Sequence, residues 1–309
     1  MTKIQIIIFS FNRAIQLDTL LTSILKHWKA PSQYELNIIY NTTSIPFQKG
    51  YDKLKDKMSI YPFIHFYREN EQKPDKVNPL LLLNYFNFMQ WYKFPIVRHP
   101  KTNFKSLTLS LIETSDAALV MFLTDDSMFI HNVEIDQRDI DWILSNPKHN
   151  QISLRVGTGM DDKNVHYKKE NNYLSWNFGK ERFLSNWGYR FSVDAHIYSK
   201  KTILKLFKRN IFVNPNTLEG PVCCDAIRSK WLENGRGPIK PAILSYPINM
   251  VQTVISNETL GISVEFLNDY YLKGYTMYYP IPESPQYFQQ YPNHLIFEYK
   301  GIKKVIKIS

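Results

Sequence analysis

A short apolar run that leads into two adjacent carboxylates constrains the fold of this chain more than any other feature. Residues 117–123 read AALVMFL, a composition typical of a fully buried strand, and Asp125 and Asp126 follow after one threonine. A buried carboxylate without a partner costs free energy or takes up a proton, so two carboxylates at the end of a buried strand indicate a functional role. At the carboxyl end of a central strand in an open α/β sheet, both carboxylates would face the crevice where ligands bind. A solvated turn is the alternative, because Asp-Asp-Ser also suits a turn.

Upstream of this run, strand and helix patterns alternate. The helix pattern has apolar residues at the i, i+3, i+4, i+7 spacing before Pro31. The predicted elements are strands at 4–9, 36–40 and 63–67, and helices at 15–28, 51–58 and 103–114. This order predicts a mostly parallel central sheet with right-handed crossovers, flanked by helices.

The remainder of the chain has a different pattern but no low-complexity linker. We therefore expect one domain with two functional halves, residues 1–130 and 131–309. In the second half we expect a strand at 191–198 that carries Asp194, with an irregular polar stretch before it. The other expected elements are a strand at 152–156, helices at 200–209 and 218–233, a strand at 241–246 and a hairpin around Lys300-Gly301.

Charge and cysteine content restrict the partners and the compartment. The formal net charge of +10 and the pI of about 9.3 favour anionic partners such as nucleotide phosphates. No block of Lys and Arg is long enough for a nucleic-acid tail, so no nucleic-acid partner is expected. The two cysteines, Cys223 and Cys224, are adjacent and cannot form a disulfide framework, which fits a reducing cytosol. No run of about 18 apolar residues predicts a membrane-spanning helix.

Small polar residues follow the predicted strands in order, and in a parallel sheet they converge on one edge. Such groups can bind a base and a ribose, while Arg13 and Lys105 could neutralise a diphosphate. No Gly-x-Gly-x-x-Gly follows the first strand and no Walker A lysine motif occurs, which argues against a dinucleotide oxidoreductase and a P-loop NTPase. The strand-end residues are Ser10, Asn12, Arg13, Asn41, Asp125 and Asp126.

The segment IIIFSFNR, the helix after it and the segment FLTDDS together resemble the nucleotide-sugar half of bacterial GT-A glycosyltransferases, broadly those like family 2. The resemblance covers about the first 130 residues and implies a GT-A-like, Rossmann-like fold. It implies that Asp125 faces the nucleotide and that Asp126 binds a divalent metal, Mn²⁺ or Mg²⁺, which bridges the diphosphate. Lys105 matches a basic position near the nucleotide. The stretches WGYRFSVDAHIYSK and NPNTLEGPV resemble the acceptor half of related enzymes.

Four departures from the family pattern bear on the activity. Ser127 stands where a third acidic residue is common, and Asn41 stands where Asp is common. Both departures weaken the expected metal site. The chain has no Gln-x-x-Arg-Trp motif and no predicted spanning helix, which argues against a processive synthase.

An inverting transfer needs a base that takes the proton of the acceptor hydroxyl. Glu219, at the start of a predicted helix, is the first choice, although a first-turn Glu also complements the helix dipole. Asp194 and Asp225 are rival bases. The expected function is a metal-dependent, non-processive, inverting glycosyltransferase that moves a sugar from a nucleotide donor, with UDP-sugars favoured, to a polysaccharide or lipid-linked acceptor. A nucleotidyltransferase-like enzyme and a non-catalytic sugar- or nucleic-acid-binding module are the alternatives.

Several aromatic and histidine residues allow two interpretations. His196 could be a further metal ligand or a buried structural residue. Trp176, Trp187 and Tyr189 could stack on acceptor sugars or pack in a core. The apolar stretch 80–94 could touch a membrane surface, which would place a cytoplasmic protein at the inner membrane face, or it could form a helix packed on the sheet.

Overall fold

The computed structural model describes residues 3–87, 90–161, 163–183, 185–250 and 259–308. The helices are α1 (Ala14–His27), α2 (Ile45–Met58), α3 (Pro79–Asn87), α4 (Phe94–Val97), α5 (Phe104–Thr114), α6 (Gln137–Ser145), α7 (Lys200–Lys208), α8 (Pro215–Arg228) and α9 (Val264–Leu272). The strands are β1 (Ile4–Phe11), β2 (Tyr34–Asn41), β3 (Ile64–Arg68), β4 (Leu119–Thr124), β5 (Ser127–Phe129), β6 (Asn150–Ser153), β7 (Tyr167–Glu170), β8 (Tyr173–Asn177), β9 (His196–Ser199), β10 (Asn234–Pro238), β11 (Ile243–Ser245), β12 (Thr276–Tyr278), β13 (His294–Tyr299) and β14 (Ile302–Lys307).

The central sheet has the order β3-β2-β1-β4-β9-β6-β10-β8-β7. The first four strands are mutually parallel, and β9 pairs antiparallel with both of its neighbours. Only β9 and β8 run against the other strands of this sheet, within the residues that the structure describes. The predicted α/β fold with a mostly parallel central sheet flanked by helices is therefore confirmed.

The central strands are mostly apolar because the sheet is covered on both faces. In β1, Ile4, Ile6 and Ile8 pack on one side with α1 and α2. Ile7 and Phe9 of the same strand pack on the other side with α5, α7 and α8. Successive strand residues point to opposite faces, so a strand between two helical layers is apolar at most of its positions. This two-sided burial leaves the strand ends as the place where polar side chains can gather.

Three expectations for the second half are corrected. The strand expected at 191–198 is only β9, because Ala195 has a positive φ of 59° and separates the preceding segment from it, which leaves Asp194 in a loop. The stretch expected to be irregular contains β7 and β8, where Leu174 and Trp176 alternate with more exposed residues. Helix α8 begins three residues before the expected start, because Asn214 caps it in a capping box with Thr217.

The C-terminal hairpin is confirmed. β13 and β14 pair antiparallel, and Lys300 and Gly301 form the turn with φ values of 50° and 79°. Among the helices of the described ranges, none is both long enough and apolar enough to cross a membrane.

Candidate functional site

A cleft of about 750 Å³ opens at the carboxyl ends of β1, β2, β3 and β4. Parallel pairing of these strands brings their ends to one edge of the sheet. The first residues of α8 line the cleft as well. Of the residues predicted from the sequence, those that line this cleft are Ser10, Arg13, Asn41, Asp125 and Asp126.

Asp125 joins the ends of β1 and β4 and is almost fully buried. Its Oδ1 accepts a hydrogen bond from Arg13 Nη1 at 2.9 Å, and its Oδ2 accepts one from Ser10 Oγ at 2.8 Å and one from the Phe11 amide at 3.2 Å. Burial raises the pKa of the Asp125 carboxyl, and the Arg13 guanidinium opposes that shift. Because these contacts use both carboxylate oxygens, Asp125 organises the strand ends that a ligand would meet.

Arg13 is buried, and its guanidinium donates hydrogen bonds to two groups, but its Nε–H donor has no partner among the described residues. Besides Asp125, its guanidinium donates from Nη2 to the Asn249 carbonyl at 2.5 Å, and its Nη1 lies 3.6 Å from Asp126 Oδ2. The buried Nε of Arg13 and the buried Oδ1 of Asn249 have no hydrogen-bond partner among the described residues. Since Arg13 lines the cleft, its guanidinium places a positive charge where an anionic ligand would bind.

Asp126 and Asp194 share one hydroxyl group. Thr124 Oγ1 lies 2.8 Å from Asp126 Oδ1 and 3.0 Å from Asp194 Oδ1. A threonine hydroxyl has a single proton and cannot donate to both carboxylates at once. Burial and then the nearby Glu219 raise the pKa of Asp194 to about 7. A protonated Asp194 donates to Thr124, and Thr124 then donates to Asp126, so Asp194 can hold or release a proton near neutral pH.

Glu219 belongs to the same network from the opposite side. Its Oε1 accepts hydrogen bonds from Ser192 Oγ at 2.8 Å and from the Val193 amide at 3.0 Å. Asp194, the next residue along this loop, has its Oδ2 at 3.4 Å from Arg155 Nη1. Glu219 therefore fixes the loop on which Asp194 lies. Neither Asp194 nor Glu219 lines the cleft itself, and Asp194 lies one hydrogen bond beyond Thr124, which does.

The third candidate base lies elsewhere. Asp225 Oδ2 accepts hydrogen bonds from Arg209 Nε at 2.6 Å and from Asn210 Nδ2 at 2.7 Å. These contacts tie α8 to the end of α7. The structure thus gives Asp225 a role in packing.

The other predicted polar residues are engaged by the fold. Asn12, in the left-handed region at φ 58°, exchanges hydrogen bonds with Thr43 and so closes the ends of β1 and β2. Asn41 donates to Glu71 Oε1 at 3.1 Å and accepts from the Thr42 amide. Lys105 donates from Nζ to the Asn210 carbonyl at 2.6 Å, and burial lowers its pKa. Lys105 is not among the residues that line the cleft.

The sequence analysis missed three contributors to the site. Glu69 and Glu71 line the cleft directly after β3, where the same strand-end reasoning would have found them. The sequence does not predict a role for Thr124, because a single threonine at a strand end matches no functional motif. Its role depends on the approach of Asp194 from a loop 70 residues away.

The described residues fit a divalent cation only when a substrate completes the coordination. No group of three or more His, Cys, Asp or Glu side chains that could hold a metal occurs in the described ranges. Asp126, with 17% of its side chain exposed, offers a carboxylate oxygen at the cleft. Mg²⁺ is commonly bound by one or two carboxylates together with substrate phosphates and water, and such a set needs no closed protein cage.

His196 and two of the aromatic candidates lie in cores. His196 is buried between Gln151 Oε1 and Ser153 Oγ, both 2.9 Å away, and burial lowers its pKa well below the usual value. Trp176 and Trp187 pack edge to face at 5.0 Å within a buried cluster. These contacts agree with the structural interpretation of all three residues.

No protein-family model and no curated protein matches the sequence. The fold is similar to solved structures of S. aureus TarS. The structure of TarS 1-349 is 14% identical at a TM-score of 0.44, with 78% of this chain and 59% of that chain covered. TarS 1-349 in complex with UDP-GlcNAc is 12% identical at a TM-score of 0.46, with 78% and 57% covered. TarS 1-349 in complex with UDP is 14% identical at a TM-score of 0.42, with 77% and 58% covered. This chain thus spans less than two thirds of the length of these structures.

Proposed function

We propose that this protein is a non-processive glycosyltransferase that moves a sugar from a nucleoside-diphosphate donor to a hydroxyl group of a saccharide or lipid-linked acceptor. The observation that carries the proposal is the junction at Thr124. On one side of it lies Asp126 in a cleft with a buried arginine, and on the other lies Asp194, whose pKa is about 7. The hydroxyl group of Thr124 therefore links the cleft that would bind the anionic donor to Asp194, the candidate base.

The cleft suits the donor. Its volume of about 750 Å³ falls in the range of small-molecule sites. The Arg13 guanidinium supplies positive charge for the phosphates, and Glu69 and Glu71 supply acceptors for the N–H groups of a base. We infer a UDP-sugar as the favoured donor. A nucleotide sugar is also the ligand in the TarS complex with UDP-GlcNAc, but the proposal for this chain rests on its own cleft.

We infer that Mn²⁺ or Mg²⁺ accompanies the donor and that Asp126 is its protein ligand. A hard divalent cation at this place would stabilise the negative charge that develops on the leaving diphosphate. Asp125 contributes indirectly, because its bonds to Arg13 and Ser10 hold the strand ends around that position.

Asp194 is the proposed base. The acceptor oxygen attacks the anomeric carbon and forms the new glycosidic bond, while the bond from that carbon to the donor phosphate oxygen breaks and the nucleoside diphosphate leaves with the electron pair. The acceptor hydroxyl gives its proton to Thr124 Oγ1, which lines the cleft, and Thr124 gives its own proton to Asp194, which corresponds to an inverting transfer. Glu219 places the Asp194 loop through Ser192 and Val193, and its charge helps to raise the pKa of Asp194. The contacts therefore favour Asp194 over Glu219 as the group that receives the proton.

The proposal is tested by donor turnover and by calorimetry on the whole chain. A panel of nucleotide sugars with Mn²⁺ should give sugar release or transfer, and UDP with Mn²⁺ should bind. Asp126→Asn should abolish the metal-dependent part of UDP binding, while Asp116→Asn, an exposed aspartate distant from these strand ends, should match the parent.

Other results would favour the alternatives. Release of pyrophosphate from a nucleoside triphosphate and a sugar phosphate would indicate nucleotidyl transfer. Tight, strongly salt-dependent binding of a single-stranded oligonucleotide, with no binding of UDP, would indicate a nucleic-acid-binding module. Unchanged turnover in Asp126→Asn would remove the metal-binding role of this residue.

A further inference from the structure

The insertion between β3 and α5 presents an apolar corner to solvent. We define the apolar corner as Leu80 and Leu83 of α3 with Trp91 and Tyr92 of the following 3-10 turn, which contacts α3. Their exposed fractions are 75%, 57%, 66% and 47%. Four large apolar side chains with such exposure on one short insertion are unusual for a surface that meets only water, and such a patch commonly marks an interaction site.

The inner face of the same insertion is firmly packed. Tyr85 is fully buried, and its hydroxyl oxygen lies 2.5 Å from the Ile211 carbonyl oxygen, to which it donates, and 3.1 Å from the Thr217 carbonyl oxygen. Lys93, also buried, donates from Nζ to the Asn216 carbonyl at 2.9 Å. The insertion is therefore held against the start of α8. The contacts of this face agree with a packing role for residues 80–94, although the partner is the start of α8 rather than the sheet, and the membrane contact stays a prediction.

The sequence around the apolar corner is a basic stretch between Asp75 and Glu113. Residues 76–112 contain five Lys or Arg residues and no Asp or Glu. Three of these cations are exposed: Lys76, Arg98 and Lys101. They lie close to one another, because the Asp75 amide donates to the Thr102 carbonyl at 2.9 Å and so brings the segments of Lys76 and Lys101 together. An apolar corner beside exposed cations is complementary to a lipid bilayer, whose acyl chains are apolar and whose headgroups can be anionic.

We propose that the apolar corner docks onto the surface of an anionic lipid bilayer. Leucine side chains gain free energy at the acyl boundary, tryptophan and tyrosine favour the headgroup level, and the exposed cations attract anionic headgroups. The cleft is close by, since Ile96, His99 and Lys101 of the same insertion line it. Docking would bring the cleft mouth near the membrane, where a lipid-linked acceptor would lie. That last step rests on the proposed function, but the docking itself does not.

Vesicle flotation of the full chain tests the docking directly. The probes are vesicles of phosphatidylcholine alone and vesicles in which about one third of the lipid is phosphatidylglycerol. The variant Leu83→Ser/Trp91→Ser removes apolar groups from exposed positions, and its unfolding midpoint should equal that of the parent. The matched control is Ile302→Ser/Val305→Ser, which removes two exposed apolar groups between lysines on β14.

We expect the parent to float with the anionic vesicles and to bind the neutral vesicles more weakly. The corner variant should lose binding by about tenfold or more, and the control should retain it. The double variant Lys76→Gln/Arg98→Gln should lose the preference for anionic vesicles. Failure of the parent to bind vesicles, equal losses in the corner and control variants, or binding of a soluble acidic polysaccharide in place of vesicles would each overturn the proposal. None of these results depends on sugar transfer, so they are separable from a failure of the proposed function.

Discussion

Replacement of Arg13 by methionine should destabilise the protein strongly and in a pH-dependent manner. The guanidinium is the buried cationic partner of Asp125, and the two side chains are 9% and 4% exposed. Removing one member of a buried ion pair typically costs about 3 to 5 kcal/mol, because the other charge stays buried without compensation. Asp125 would keep its hydrogen bonds from Ser10 and Phe11, so we expect the lower part of that range, about 3 kcal/mol.

The sign of the pH dependence follows from Asp125. Loss of the cation leaves burial to raise the pKa of its carboxyl further above the unfolded value. A carboxyl with a raised folded-state pKa binds its proton more tightly in the folded chain, so it favours folding at low pH and disfavours it as the pH rises. The cost of Arg13→Met should therefore be smaller at about pH 5 than at about pH 8.

The matched control is the double variant Arg13→Met/Asp125→Asn, in which no buried charge remains at this position. The measurement is urea unfolding followed by tryptophan fluorescence at both pH values. We expect the double variant to recover about 2 kcal/mol and to lose the pH dependence. A cost below about 1 kcal/mol for the single variant, or a double variant no more stable than the single one, would refute the account of Asp125 as an anchored charge.

Three further predictions concern the second half of the chain. If Asp194 is the base, the pH-rate profile of the parent should rise through about pH 7. Asp194→Asn should lower turnover about a hundredfold and remove this rise. Glu219→Gln should move the rise to lower pH, because the Glu219 charge helps to raise the pKa of Asp194. His196 is buried with a lowered pKa, so the free energy of unfolding of the parent, measured by denaturant titration, should fall as the pH drops below about 6.5. His196→Gln has no imidazole to protonate, so this part of the pH dependence should be absent from the variant. Gly235→Ala should cost about 1 to 3 kcal/mol by thermal unfolding, because its Cβ would lie 2.5 Å from the Trp176 ring.

The first half of the fold could be predicted from the sequence because its signals are local. Apolar runs with a polar residue at the end identify buried strands, and the helical spacing between them implies parallel pairing. Parallel pairing then requires the polar ends to meet, which is why Ser10, Arg13 and Asn41 line one cleft with Asp125 and Asp126. The same rule extends to Glu69, which follows β3.

The second half was harder to predict because apolar residues there come from irregular segments. Phe191 and Val193 alternate as in a strand and are buried in the core, yet they belong to a loop. A loop that packs on a helix can also bury every second residue, so the alternation does not require a strand. The positive φ of Ala195 is what separates this loop from β9. The alternating pattern of β8, with Trp176 facing inwards, was hidden among polar neighbours.

The partnership of Asp126 with Asp194 shows what a single sequence cannot provide. Each aspartate could be proposed as a site residue, but the distance between them depends on β9 pairing antiparallel with β4 and so bringing the Asp194 loop beside Thr124. That pairing also gives Thr124 its importance, because a hydroxyl with one proton can donate to only one of the two carboxylates at a time. Replacement of Thr124 by valine would therefore remove the hydroxyl that links the two carboxylates while it preserves the shape of the side chain. If the proposed base depends on this hydroxyl, Thr124→Val should shift the pH at which turnover rises and should cost about 1 kcal/mol of stability for the lost hydrogen bond. A parent-like pH profile would show that the two carboxylates act independently.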